Sequence, residues 1–341
     1  MDGVNGVTQC PIAPNDYFIY EFKITQYGSS WYHSHYSVQY ADGAVGPLTL
    51  HGPSSAQWDE AISPPLIITD WGHNTAFDAV TVGLEDADIL LNGRGNITNY
   101  NNAIANTTAV QDPYSITFAK PGAGKPNKKY HLRVINTSFI RTFVFSIDNH
   151  MLQIVGADFV PIHPYSNTSL LIGVGQRYDV IVEANPHAYN NTSPLPRDGN
   201  YWIRTYIIAC GGAITYSPGH ERTGILRYDS SSTADPSSQP WQNISTNCAD
   251  EAYTSLQPIV PWQVESTTDI PFDKQFDLQR NQKLSNPPYP LASWALDLEN
   301  SFIPIRVSYT NLTFFNLNNT GQFDPSWRII PENLTSNDWV N

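Results

Sequence analysis

The sequence predicts an all-β protein built of small sandwiches, and three observations carry that prediction. Charged residues make up only 14% of the 341 residues, while apolar residues reach 40% and aromatics 12%. Chain-breaking residues are frequent, with 26 Pro and 21 Gly. Between them lie short runs of alternating apolar and polar residues, the period of a half-buried strand, and no long apolar pattern of helical period. Short strands punctuated by turn formers are the signature of sandwiches and barrels. A formal net charge of −13 argues against nucleic acid, whose phosphates demand a basic face. It gives no support for binding an anionic membrane surface. No apolar run reaches the length needed to cross a bilayer. Met1-Asp2-Gly3-Val4-Asn5 has neither the basic start nor the apolar stretch of a secretory signal.

In chain order, Tyr17–Ile24 alternates like a sandwich strand, and Gln26-Tyr27-Gly28 turns into a run from Ser29 to Gly43 that also reads as a strand. Residues 1–57 are too few for a two-sheet sandwich of about one hundred residues. They are expected to form the latter part of one. Residues 64–228 have the strands for a complete sandwich, at residues 65–71, 89–95, 130–136, 143–147, 151–155, 174–184, 201–205 and 223–228. Residues 229–257 open on Ser230-Ser231-Ser232-Thr233-Ala234, polar and aperiodic, and are read as a linker. Residues 258–341 resume the strand pattern at residues 276–279, 293–297, 302–304 and 311–315, as the start of a third sandwich.

The chemistry centres on Trp31-Tyr32-His33-Ser34-His35. Side chains two apart on a strand share a face, so His33 and His35 are expected to project together, roughly 6.5 Å apart along the chain. Neutral imidazoles suit copper, zinc, iron or nickel, and the pair alone does not choose among them. The competing reading is two hydrogen-bonded histidines on a half-buried strand. The remaining histidines, at 51, 73, 131, 150, 163, 187 and 220, stand singly. None has a partner at a spacing that recurs in metal sites, and each is expected to be a satisfied or solvent-facing residue. Asp42, before Gly43, reads as a turn residue. Glu183 reads as a strand-end glutamate. Ten N-x-Ser/Thr acceptors, at Asn96, Asn106, Asn136, Asn167, Asn190, Asn191, Asn243, Asn311, Asn318 and Asn333, suggest a secreted glycoprotein with these asparagines on exposed loops. The three cysteines, Cys10, Cys210 and Cys248, fit an oxidising compartment. A disulfide between Cys210 and Cys248 could clip the linker, and Cys10 reads as a buried free thiol.

The run W-Y-H-S-H-x-S-x-Q-Y-x-D-G-x-x-G-P-L, residues 31–48, resembles the second copper-binding motif of fungal laccases of the ascomycete type, which are multicopper oxidases. L-N-G-R-G, Y-H-L-R-V-I-N-T-S, G-A-D-F-V-P-I and G-V-G-Q-R-Y-D-V-I-V-E-A-N are similar to the middle domain of the same enzymes, so the resemblance covers most of the chain. It implies tandem cupredoxin-like Greek-key sandwiches, partial, complete and partial. It implies copper as cofactor, with His33 serving one copper of the type 3 pair and His35 the other. Asp42 then stands near the copper cluster, where a supporting contact to a ligand is open to it. It implies one-electron oxidation of small phenols coupled to reduction of dioxygen to water, by a secreted monomer that binds neither nucleic acid nor membrane. It assigns Glu183 the role of accepting the phenol proton. A bridge at the positions of Cys210 and Cys248 also follows from it, as does a partner for Cys10 near the family's C-terminus.

The resemblance also marks what is not in these residues. An H-W-H-G motif is expected before Asp2, and H-P-x-H-x-H and H-C-H beyond Asn341; none occurs in the chain. None of the three cysteines has a histidine beside it, so the type 1 copper motif and most cluster ligands are lacking. The alternatives are a catalytically silent cupredoxin-type module, or another multicopper oxidase such as a ferroxidase or ascorbate oxidase.

Overall fold

In this computed structural model, residues 9–72, 74–78, 88–95, 113–120, 122, 124–188, 195–208, 220–242, 244 and 249–261 are described in full. Residues 277–281, 293–298 and 301–305 are described in backbone alone. The chain divides into two units. One comprises Ile19–Asp273 with Asn286–Leu291, and the other Met1–Phe18, Lys274–Ser285 and Ala292–Asn341. Among the described residues strands are the main regular structure in both.

The larger unit holds a two-layer sandwich. One layer is the sheet β10(Val160–Asn167)-β9(Leu152–Ala157)-β12(Arg177–Glu183)-β7(Lys129–Asn136)-β4(Leu66–Trp71)-β5(Asp88–Leu91), with β3(Glu60–Ala61) also on β7. The facing layer is β11(Ser169–Ile172)-β8(Phe143–Ile147)-β13(Asn200–Ile207)-β14(Arg222–Arg227)-β6(Tyr114–Thr117). Leu66, Ile68, Leu132, Val134, Ile154 and Val180 from the first sheet meet Phe143, Phe145, Ile147, Leu170, Ile203 and Leu226 from the second, all sealed from solvent. That interdigitation is what period-two alternation on both inner faces produces.

A two-stranded antiparallel hairpin, β1(Gly28–His33) and β2(Val45–Leu50), belongs to the same unit, with His33 opposite Val45. In the smaller unit, β15(Asp277–Asn281), β16(Ser293–Leu298) and β17(Ser301–Ile305) form a three-stranded antiparallel sheet.

Three expectations are corrected. Residues 17–24 form no strand; Tyr17, Ile19 and Phe22 stand 79%, 74% and 62% exposed. No strand among the described residues pairs with the segment, and alternation cannot hold a strand without a ladder. The histidine strand ends at His33 instead of running to Gly43. Beyond it, Gln39 N–H bonds to Tyr36 O, Ala41 N–H to Val38 O and Gly43 N–H to Tyr40 O, so residues 36–43 coil into successive turns. The third concerns Asn136, which lies on β7 with no exposed surface. Its side-chain amide donates to the carbonyls of Arg141 (2.9 Å) and Ile172 (3.0 Å), so it is a bracket inside the fold and not a glycosylated loop residue.

Candidate metal centre

The hairpin β1–β2 carries the two histidines. Gly28 opens it at φ +138°, and a Cβ there would sit 2.6 Å from the Asp158 carbonyl oxygen, so only glycine fits. His33 closes β1 and His35 lies two residues past it. The turns of residues 36–43 nevertheless leave the two rings side by side, their centroids 4.9 Å apart and tilted by 31°. His33 is half-buried and His35 exposed. The backbone carbonyl of Ser34 lies 3.3 Å from His33 Nδ1, which assigns the neutral ring's proton to Nδ1 and leaves the Nε2 lone pair for a ligand.

Two aromatic side chains surround His33. The Trp31 indole stacks on it at 4.3 Å and 30°, and the Tyr40 ring lies 5.1 Å away at 47°. Both are tethered by their polar ends to the sandwich. Trp31 Nε1–H donates to the Gly175 carbonyl (3.3 Å), and the Tyr40 hydroxyl to the Ser138 carbonyl. Those carbonyls belong to one corner of the fold, where Gly175 N–H bonds to Asn136 O (3.0 Å) and Ser138 N–H to Asn136 Oδ1 (2.9 Å). Burial, with Asp70 nearby, pushes the Tyr40 hydroxyl pKa well above its ordinary value. Asp70 is itself buried, accepts from the Phe139 and Ile140 amides (2.9 and 3.2 Å), and is pushed up by burial.

The base of the hairpin is held by a second set of contacts. Ser29, fully buried, donates from Oγ to Asp179 Oδ1 (2.9 Å), an oxygen that also receives His131 Nε2 (2.9 Å) and Arg133 Nη1. Arg177 Nε–H donates to the Ser29 carbonyl (2.8 Å). Sequence reasoning gave Trp31, Tyr40 and Asp179 no role. Trp31 and Tyr40 sat within the histidine motif, but only the folded structure shows what their polar ends reach.

The other candidate residues lie elsewhere. Asp42 accepts the Ala76 amide on Oδ1 (2.7 Å), where helical backbone begins at residue 76. Its described contact is with that backbone and not with either histidine. Glu183 ends β12 and accepts from Asn127 Nδ2 (2.9 Å). Five residues of strand lie between it and Arg177, a rise of roughly 20 Å, so it stands at the far end of β12 from the guanidinium that holds the Ser29 carbonyl. Cys210, Cys248 and His73 lie outside the described residues. Cys10 is a free thiol, exposed rather than buried. His150 is satisfied on both nitrogens, and His131 and His220 lie beside Asp179 and Asp88. His51, His163 and His187 face solvent.

Two adjacent imidazoles, one with a free Nε2, fit a copper ion's preference for neutral nitrogen. They make a partial ligand set, since no group of three or more His, Cys, Asp or Glu gathers around a common point among the described residues.

Comparison with known proteins defines the class. The multicopper oxidase family matches residues 63–231, and a second multicopper oxidase family match covers residues 1–55. The chain belongs to the multicopper oxidases. Within them it is similar to fungal laccases. It is 38% identical to a laccase of Arthroderma benhamiae over 99% of this chain and 52% of that protein. It is 44% identical to laccase-2 of Botryotinia fuckeliana over 75% of this chain and 42% of that protein. The crystal structure of the laccase from Botrytis aclada superposes with a TM-score of 0.62 at 42% identity, over 76% of this chain and 45% of that one. The chain thus spans about half the length of the curated relatives it matches.

Proposed function

We propose that the chain is part of a laccase-type oxidase that removes single electrons from small phenols and reduces dioxygen to water, with His33 and His35 holding the two ions of a copper pair. The observation that carries this reading is the side-by-side placement of the two rings, 4.9 Å between centroids, on a hairpin whose sequence is the family motif. When bound, copper supplies the one-electron redox chemistry that protein side chains lack.

The chain's own residues do the rest. His33 presents Nε2, its orientation fixed by the Ser34 carbonyl and the stacked Trp31 ring. Glu183 accepts the phenol hydroxyl proton as the electron leaves, because a phenol that loses an electron becomes far more acidic and a carboxylate can take the proton. Asn127 holds that carboxylate through Oε1. Glu183 and the hairpin lie at opposite ends of β12, which supports phenol oxidation and oxygen reduction at separate places. On this reading residues 1–57 are the latter part of a sandwich, 64–228 a complete one, 229–257 a linker and 258–341 the start of a third. We infer a secreted monomer with a Cys210–Cys248 bridge. In the full-length enzyme, His33→Ala should abolish oxygen uptake with a phenol, and turnover surviving that change would refute the ligand assignment.

A further inference from the structure

We propose that Trp31 and Tyr40 form an aromatic clamp that fixes the orientation of the His33 imidazole before metal arrives. This rests on the reading of His33 as a copper ligand. A histidine at the end of a two-stranded hairpin has its ring free to turn about two side-chain bonds, and binding a metal costs that freedom. The structure removes it in advance. One face of the ring is covered by the Trp31 indole at 4.3 Å, and a flank by the Tyr40 ring at 5.1 Å. Trp31 and Tyr40 also touch each other, at 5.4 Å.

Stacking alone would let the three rings drift together with the hairpin. The polar ends prevent this, because each is bonded to the sandwich and not to the hairpin. The indole N–H reaches Gly175 O and the phenol O–H reaches Ser138 O. Both acceptors sit on the corner organised by Asn136, whose own amide is locked to Arg141 O and Ile172 O. His33 is thereby registered to the sandwich core through its two neighbours. Trp31 and Tyr40 are positioning residues: nothing in their geometry offers a nitrogen or oxygen to the metal, since both polar atoms are already engaged.

The test is titration of the full chain with Cu(II), followed by calorimetry, alongside thermal melting. Trp31→Ala should weaken Cu(II) binding about tenfold, the scale seen when a group that orients a metal ligand is lost. Trp31→Phe, which keeps a stacking ring without the tether, should recover part of that loss. Tyr40→Phe, which deletes only the tether, should weaken binding roughly threefold with little change in melting. In a His33→Ala background, Trp31→Ala should cost nothing further, because its effect runs through that ring. If Trp31→Ala disrupts the hairpin, Tyr40→Phe decides by itself. Wild-type affinity in Trp31→Ala and Tyr40→Phe, with His33→Ala binding no copper, overturns the clamp. Wild-type affinity in His33→Ala instead overturns the copper reading on which it rests.

Discussion

Acidification from pH 8 to pH 5 should weaken the larger unit through one side chain, His150. Its ring is fully buried. Asp148 O lies 2.8 Å from Nδ1 and the Tyr228 hydroxyl 2.8 Å from Nε2. A carbonyl can only accept, so Nδ1 carries the proton and Nε2 accepts from Tyr228; the neutral ring is satisfied on both sides. A second proton would have to enter at Nε2, against a hydroxyl that is donating and on a ring with no surface open to solvent. Burial accordingly lowers the His150 pKa from 6.5 to about 4. A depressed folded value means that the stabilisation is complete above pH 6.5 and is lost as pH falls toward 4, because the unfolded chain takes up its proton first. At pH 5 the unfolded ring is almost wholly protonated and the folded ring hardly at all, which amounts to ~2 kcal/mol lost relative to pH 8. Asp70 and Asp148, whose carboxyls burial pushes up, act with the opposite sign, so the wild type alone does not isolate the effect. The comparison is with His150→Gln, which cannot titrate. Urea unfolding followed by tryptophan fluorescence should show the wild type losing ~2 kcal/mol more than the variant between pH 8 and pH 5. Parallel losses in the two proteins would refute the argument.

Further outcomes follow from other parts of the fold. Mass spectrometry of tryptic glycopeptides from a secreted preparation should find Asn136 unmodified and Asn167 open to modification, because the first is buried and the second exposed; a glycan on Asn136 in folded protein would contradict the bracket. Arg204, 2% exposed, bonds both oxygens of the fully buried Asp148 at 2.8 and 2.9 Å and reaches Glu221 and Ser238 O. Arg204→Ala strands that carboxylate and should cost about 3–5 kcal/mol of unfolding free energy, read by the same urea titration; a loss under 1 kcal/mol would mean that the pair is solvated. The 341-residue chain by itself should oxidise no phenol, since two imidazoles do not complete a redox centre. Copper-dependent oxygen uptake by it, in an oxygen electrode, would show that a fuller ligand set exists than the described residues contain.

The sandwich was legible where strands are central. The run at residues 143–147 coincides with β8, and those at 65–71, 130–136 and 223–228 lie within a residue of β4, β7 and β14. The strands that went unread, β2, β3, β6, β10 and β11, are none of them central: β6, β10 and β11 end their sheets, β2 is half of a two-stranded ribbon, and β3 lies off the main path of its sheet on β7. An edge strand carries a weaker pattern, and β10 contains Pro161 and Pro164, which fall at the irregularity between Pro161 and Tyr165 in its pairing with β9, where proline is tolerated. The candidate site divides in the same way. The histidine pair was visible because two ligands two residues apart form a local pattern. Their adjacency survives even though the strand supposed to cause it stops at His33. The contacts that fix the pair were hidden, because Trp31 meets Gly175 across 144 residues and Tyr40 meets Ser138 across 98. No spacing rule reaches that far.

One oxygen atom of Asp179 gathers a hydroxyl from β1 and an imidazole and a guanidinium from β7. Ser29 and Asp179 are 150 residues apart, so the hairpin leaves the ribosome long before its anchor is made. Until β7 and β12 have paired, the cluster of Asp179, His131 and Arg133 that receives Ser29 is not assembled. The contact that seats the histidine hairpin therefore cannot form before residue 179 has been made. A copper ion offered before residue 175 is made would meet His33 while its Trp31 neighbour still lacks the Gly175 acceptor.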